Sequence, residues 1–143
     1  MSGIERFPSV VADIMSSPVV TVDIDSKVID AVKIMARKKI GSIIIMEGDK
    51  AIGIVTERDL LERVLGEGKD PSEVVMREVM SSPLISIGKN TAILEAMRKM
   101  RHHNIRRLTV IEEDQLIGIV TERDILKAVV TLALASFRPL LEK

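Results

Sequence analysis

Two stretches of the chain carry the same seven residues, Gly-Ile-Val-Thr-Glu-Arg-Asp, at 53–59 and again at 118–124. The side chains able to do chemistry there are Thr56 with Asp59 and Thr121 with Asp124. A hydroxyl followed three residues later by a carboxylate is the spacing of a capping box, in which each side chain meets a backbone N–H of a first helical turn. The same corner also gathers free N–H groups and the positive end of a helix dipole, which suit the phosphate or hydroxyl oxygens of a ligand. Arg58 and Arg123 point to the second use. A cation in the first turn opposes the dipole, and an anion held at that helix end would give it a purpose. The spacing leaves both uses open.

Other candidates are fewer. Arg106 and Arg107 open a strand, and the matching positions of the first copy are Gly41 and Ser42. Arginine contacts phosphate in bidentate fashion, although a solvated strand edge accommodates it equally well. His102 and His103 fall near a helix end, where they complement the negative pole. With two histidines and no cysteine, no metal site is expected. No residue order forces a catalytic triad, and neither a P-loop nor a GxGxxG run is present. The chain therefore reads as a binder with no catalytic residues, not as an enzyme.

The elements that must hold these corners recur as well. Shifted by 65 residues, the chain aligns on itself without gaps: Met15-Ser16-Ser17-Pro18 on Met80-Ser81-Ser82-Pro83, and 43–46 on 108–111. About 19 of 51 paired positions are identical. Two copies are too few for a solenoid, so one module of two similar halves across a pseudo-twofold axis is expected. Each half predicts the order β-α-β-β-α, an α+β fold. The strands fall at 19–22, 42–47 and 51–55, then at 84–87, 107–111 and 116–120. The first helix of each half is expected to be capped near Ser26 or near Asn90-Thr91. The second starts at Thr56 or Thr121, with buried stripes Leu60, Leu61, Val64, Leu65 and Ile125, Leu126, Val129, Val130. The halves span 8–66 and 76–136, joined by a connector at 67–75; Gly66 and Gly68 stop one helix, and Pro71 fits the first turn of a short new one. The last helix is expected to run on through 131–136, with an apolar face left for a partner subunit.

Composition narrows the ligand. Lys plus Arg and Asp plus Glu are balanced at 21 each, so there is no global pull toward nucleic acid. Arg98, Lys99, Arg101, Arg106 and Arg107 make a local basic patch, but without Trp or Tyr the stacking surfaces for bases are missing. A planar ligand must be held by Ile, Val and Met. No apolar stretch approaches the ~18–20 residues of a membrane span. With no cysteine and no leader-like N-terminus, a cytoplasmic protein with no membrane partner is expected.

The MSSP openings, the internal strands IGSIIIM and IRRLTVI, and the closing GIVTERD-L/I together resemble a tandem pair of cystathionine-β-synthase (CBS) domains, over roughly residues 11–131. The resemblance implies a stand-alone regulatory module with two clefts between its halves that bind adenosyl ligands: AMP, ADP, ATP or S-adenosylmethionine. It implies that the Asp of T-x-x-D accepts the ribose hydroxyls, that the Thr and nearby basic residues face the phosphate, and that apolar residues hold the adenine. By position, one cleft would use Ile119, Thr121, Arg123, Asp124 and Arg107, with Met15, Val20, Ile40 and Gly41 against the base. The other would use Ile54, Thr56, Arg58 and Asp59 with Met80, Ile85, Ile105 and Arg106. Ser42 stands in the second cleft where Arg107 stands in the first, so the Asp124 cleft is expected to favour phosphorylated adenosine. The resemblance further implies a homodimer that senses adenine nucleotides, signals to an unidentified protein partner and needs no other cofactor. The competing expectations are an interaction dimer with empty clefts, S-adenosylmethionine binding and nucleic-acid binding.

Overall fold

The structure is a computed structural model that describes residues 7–141, with side chains as far as Ser136. After a 3-10 turn at Val11–Asp13 come β1 (Thr21–Asp23), α1 (Val28–Lys38), β2 (Ser42–Glu47), β3 (Lys50–Thr56) and the single α-turn α2 (Glu57–Leu60). The last of these continues as a π-helical stretch, Leu61–Leu65. A second 3-10 turn, Met76–Glu78, precedes β4 (Ser86–Ile87), α3 (Ile93–His103), β5 (Arg107–Glu112), β6 (Gln115–Thr121) and α4 (Glu122–Leu141). This is β-α-β-β-α twice, the expected α+β fold. Two three-stranded sheets run in the orders β1-β2-β3 and β4-β5-β6. The first strand of each lies parallel to the second, and β2 and β3 form an antiparallel hairpin. In the second hairpin turn Glu113 and Asp114 both take positive φ, 49° and 65°, as a two-residue type I′ turn demands.

The chain forms two compact units, and their boundaries are not those of the sequence repeats. One unit, which carries Asp59, holds Pro18–Ile85 with Glu113–Leu116. The other, which carries Asp124, holds the described residues through Ser17, then Ser86–Glu112 and Ile117 onward. Each repeat's lead segment, which ends in MSSP, therefore packs with the other repeat's sheet and helices. Its apolar residues explain why. Met76 and Val79 are fully buried in the core of the Asp59 unit beside Val28, Met35, Ile43, Ile45 and Val55. In the Asp124 unit Val11 is fully buried, as are Val110 and Val120.

This arrangement overrides the expected helix caps. Neither Ser26 nor Asn90-Thr91 caps; the N-cap residues are Lys27 and Ala92, and neither makes a side-chain cap bond. The lead segments supply main-chain acceptors instead. Val28 N–H donates to the Val74 carbonyl at 2.8 Å and Ile29 N–H to that of Pro71 at 2.9 Å, while Ile93 N–H donates to Ser9 at 3.2 Å. These satisfy donors that every helix start leaves open. Where a strand-like segment crosses the helix start, no hydroxyl is needed.

The second helix of each repeat departs from its expected stripe. Val64 and Ile125 are buried, but Leu61 and Leu65 are each 63% exposed and Leu126 is 61% exposed; Val129 and Val130 are exposed too. In the first copy the helix widens after one turn, Gly66 N–H reaching back five residues to the Leu61 carbonyl at 2.7 Å, so the apolar phase slips. In the second copy Ile125 is the buried residue of the expected stripe. The apolar continuation through 131–136 is helical as expected, with Leu132 and Leu134 exposed.

Because Met76 is a lead-segment residue sealed in the Asp59 unit's core, Met76→Ala is expected to cost about 2–5 kcal/mol. Urea unfolding of the two proteins measures this, and a loss below about 1 kcal/mol would mean the segment is loosely attached.

Candidate ligand-binding site

Each unit ends a β-strand in a sharp corner that starts the next helix, and the two corners share one local design. In the Asp59 unit, Asp59 Oδ2 accepts the Thr56 N–H at 2.9 Å and the Thr56 hydroxyl at 3.1 Å, while Asp59 N–H donates to Thr56 Oγ1 at 3.2 Å. In the Asp124 unit the same bonds from Thr121 measure 2.8, 2.9 and 3.2 Å. The capping box is real. It uses one carboxylate oxygen and the hydroxyl hydrogen of the threonine, so neither threonine offers that hydrogen to a phosphate while the cap is closed.

The other oxygen, Oδ1, takes no part in the cap. Asp124 Oδ1 has no hydrogen-bond partner among the described residues, and no buried side-chain polar atom lacks one, so this acceptor is open to solvent. Asp59 Oδ1 has one near neighbour, Arg63 Nη2, at 3.9 Å. Asp59 is nonetheless only 9% exposed. The first helical N–H of each corner is held by the residue just before the hairpin's first strand. Glu57 donates to the Gly41 carbonyl at 3.0 Å, and Glu122 to the Arg106 carbonyl at 2.9 Å. Residues 41–42 and 106–107 therefore sit beside the corners.

The glycine of each repeat makes room for the lead segment. Ser81 exchanges two backbone hydrogen bonds with Ile54, at 3.0 and 2.9 Å, and Ser16 exchanges two with Ile119, at 2.8 and 3.1 Å. The neighbouring methionine then lies on the glycine. A Cβ on Gly53 would stand 2.7 Å from Met80 Sδ, and one on Gly118 would stand 2.5 Å from Met15 Sδ. No side chain fits there without moving the methionine.

Within the Asp124 unit the structure thus brings together Met15, Arg107, Ile119, Thr121, Arg123 and Asp124 of the first expected residue set. Val20, Ile40 and Gly41 of that set belong to the other compact unit. Of the second set, Ile54, Thr56, Arg58, Asp59, Met80 and Ile85 share the Asp59 unit, and Ile105 and Arg106 do not. Sequence reasoning missed Arg63. Its Nη1 donates to the Val79 carbonyl at 2.9 Å and to the Met80 carbonyl at 3.1 Å, which clamps the lead segment to the helix. Its spacing four residues after Asp59 was the available signal; the equivalent position of the second copy is Ala128.

Among the described residues no group of three or more His, Cys, Asp or Glu side chains could hold a metal ion, and no helix is long and apolar enough to cross a membrane. Residues 11–66 and 76–131 each match the family model of the CBS domain. The chain belongs to the CBS-domain family. Among its relatives, the CBS domain-containing protein YhcV of Bacillus subtilis is 32% identical over 117 residues, covering 82% of this chain and 83% of its own. Protein MK0525 of Methanopyrus kandleri is 44% identical over 95 residues, 65% of this chain, which spans only 48% of that protein's length. A solved CBS-domain protein from Burkholderia ambifaria superposes with a TM-score of 0.81 at 30% identity, covering 85% of this chain and 94% of that one. The CBS domain pair of protein MJ0100, solved in complex with 5′-methylthioadenosine and S-adenosyl-L-methionine, gives a TM-score of 0.77 at 27% identity, with 85% and 96% covered.

The contact between Met15 and Gly118 yields a paired expectation. Gly118→Ala should destabilise the CBS pair by about 1–3 kcal/mol through overpacking, and Met15→Ala in the same protein should relieve part of that loss. A urea double-mutant cycle reads the coupling, and strictly additive losses would mean the methionine does not seat on the glycine.

Proposed function

We propose that this CBS pair is a regulatory module that binds adenosyl ligands at its two T-x-x-D corners and reports their occupancy to a partner protein. The observation that carries the reading is the division of labour within each aspartate. One oxygen is fixed by the cap and the other stays outside it, just after a strand whose glycine packs against a methionine of the lead segment, Gly118 against Met15 and Gly53 against Met80. A rigid carboxylate oxygen suits a pair of ribose hydroxyls, and leaving it facing a deoxyribose would forgo a charge-assisted bond. Aliphatic and thioether side chains suit a purine face by dispersion and burial. The MJ0100 complex supports the ligand class. Reading the module as a binder is supported by the same residues: both threonine hydroxyls are engaged in caps, each bonded to the aspartate of its own corner.

Phosphorylated adenosine, of which AMP is the simplest, is assigned to the Asp124 corner. Arg107 lies beside it, and among the described residues neither Arg107 nor Arg123 has an ion-pair partner. Ligand occupancy acts on the partner by favouring whichever arrangement of the module binds it better. The exposed apolar residues Leu61 and Leu65 of one unit, and Leu126, Val129 and Val130 of the other, fit burial against a second copy. One solved relative, a CBS-CP12 protein from bloom-forming cyanobacteria, is hexameric.

Two measurements test this reading. AMP should raise the melting temperature of the wild-type protein. Asp124→Ala should remove most of that shift, and Arg107→Ser should weaken AMP binding by about 1.5–3 kcal/mol; wild-type affinity in Asp124→Ala overturns the assignment. For self-association, Leu126→Glu with Val130→Glu should sediment as a monomer where the wild type sediments as a dimer or larger. A wild-type monomer at high concentration overturns that part.

A further inference from the structure

The two corners share a cap but differ in charge. At the Asp59 corner, Arg58 Nε pairs with Glu62 Oε1 at 3.0 Å, so its guanidinium is already matched by the carboxylate one turn on. Arg63 is 46% exposed but already engaged, with two main-chain carbonyls on Nη1 and Asp59 3.9 Å from Nη2. The strand beside the corner offers Gly41 and Ser42, which carry no charge. Across residues 41–42 and 56–63, Arg58 and Arg63 stand against Glu57, Asp59 and Glu62, a net charge of −1.

The Asp124 corner reverses each choice. Lys127 replaces Glu62, so the residue one turn after Arg123 repels it instead of pairing with it. Arg106 and Arg107 replace Gly41 and Ser42, and only Arg106 is matched, by Glu122 at 3.7 Å. Across residues 106–107 and 121–128, Arg106, Arg107, Arg123 and Lys127 stand against Glu122 and Asp124, a net charge of +2. The cap is common to both corners; the charges that these flanking residues carry sum to opposite signs.

Resting on the adenosyl reading above, we infer that the Asp59 corner takes a non-phosphorylated adenosyl compound, neutral or cationic at its 5′ substituent. A 5′-thioether fits it, and a 5′-sulfonium fits it better. The chain then pairs a phosphate-selective corner with a phosphate-averse one, and it senses two adenosine derivatives instead of one twice.

The test separates the corners with Asp124→Ala, which leaves the Asp59 corner competent, and Asp59→Ala, which leaves the other. Each is titrated calorimetrically with AMP, 5′-methylthioadenosine and S-adenosylmethionine. Asp124→Ala should bind S-adenosylmethionine at least about tenfold tighter than AMP, the scale expected when the exposed charge beside a ligand differs by about three units. Asp59→Ala should show the opposite preference. Both preferences should shrink in about 1 M salt, where the Debye length falls to about 3 Å. In the Asp124→Ala protein, adding Ser42→Arg and Glu62→Lys should move the preference about tenfold toward AMP; both replaced side chains lie outside the core, so folding is retained. Equal binding of AMP and S-adenosylmethionine by Asp124→Ala would bring the exposed Lys38 and Lys39 into the corner's field and overturn the inference. A charge swap without effect would overturn it as well. A wild-type protein that binds none of the three compounds removes the adenosyl reading itself, and the inference falls with it.

Discussion

Everything at the two corners depends on one small hydrogen-bonded ring, the closure of an aspartate onto the threonine three residues before it. The ring stops the strand, starts the helix and fixes the carboxylate plane in one step. Without it the second oxygen would sweep a range of directions with its rotamers, and an acceptor that must be ordered at the moment of binding loses much of its worth. With it, the side chain that caps the helix can also serve, in the function proposed, as a pre-ordered ligand acceptor. That is why the two readings of T-x-x-D could not be separated by spacing: the cap occupies one oxygen and leaves the other outside it.

The architecture was largely legible because its signals are redundant. The duplication alone fixes the element order, and the β-rich runs at 42–47 and 107–111 coincide with observed strands to within a residue. The failures have a common cause. The caps near Ser26 and Asn90 were inferred from local chemistry, but the donors they would have served are taken by Val74, Pro71 and Ser9, residues distant in the chain. The stripes of the second helices were inferred from apolar spacing, but spacing cannot say how much of an apolar face its own unit covers. Arg63 was passed over for the same reason. Its partners are main-chain carbonyls contributed by a lead segment whose destination the repeat pattern does not reveal.

The corners themselves were read more completely than their surroundings. Thr56 with Asp59 and Thr121 with Asp124 form the capping box that their spacing predicted, and Met80 and Met15 lie against the glycine three residues before each threonine. The repeated glycine had no assigned role in the sequence, because nothing local requires it: neither Gly53 nor Gly118 has a positive φ. Its job is steric and long-range, to admit a thioether and a crossing strand. A motif read as one unit, GIVTERD, thus divides into a packing half and a capping half.

Since each lead segment completes the core built by the other repeat, neither repeat is a self-sufficient folding unit. A free-living single repeat would have had to lend its MSSP arm to a second molecule and borrow that molecule's arm in return. Fusion of two such genes would convert a reciprocal exchange between chains into one within a chain. Within one chain the two copies need not be identical, and they differ at positions such as Arg63 opposite Ala128 and Glu62 opposite Lys127.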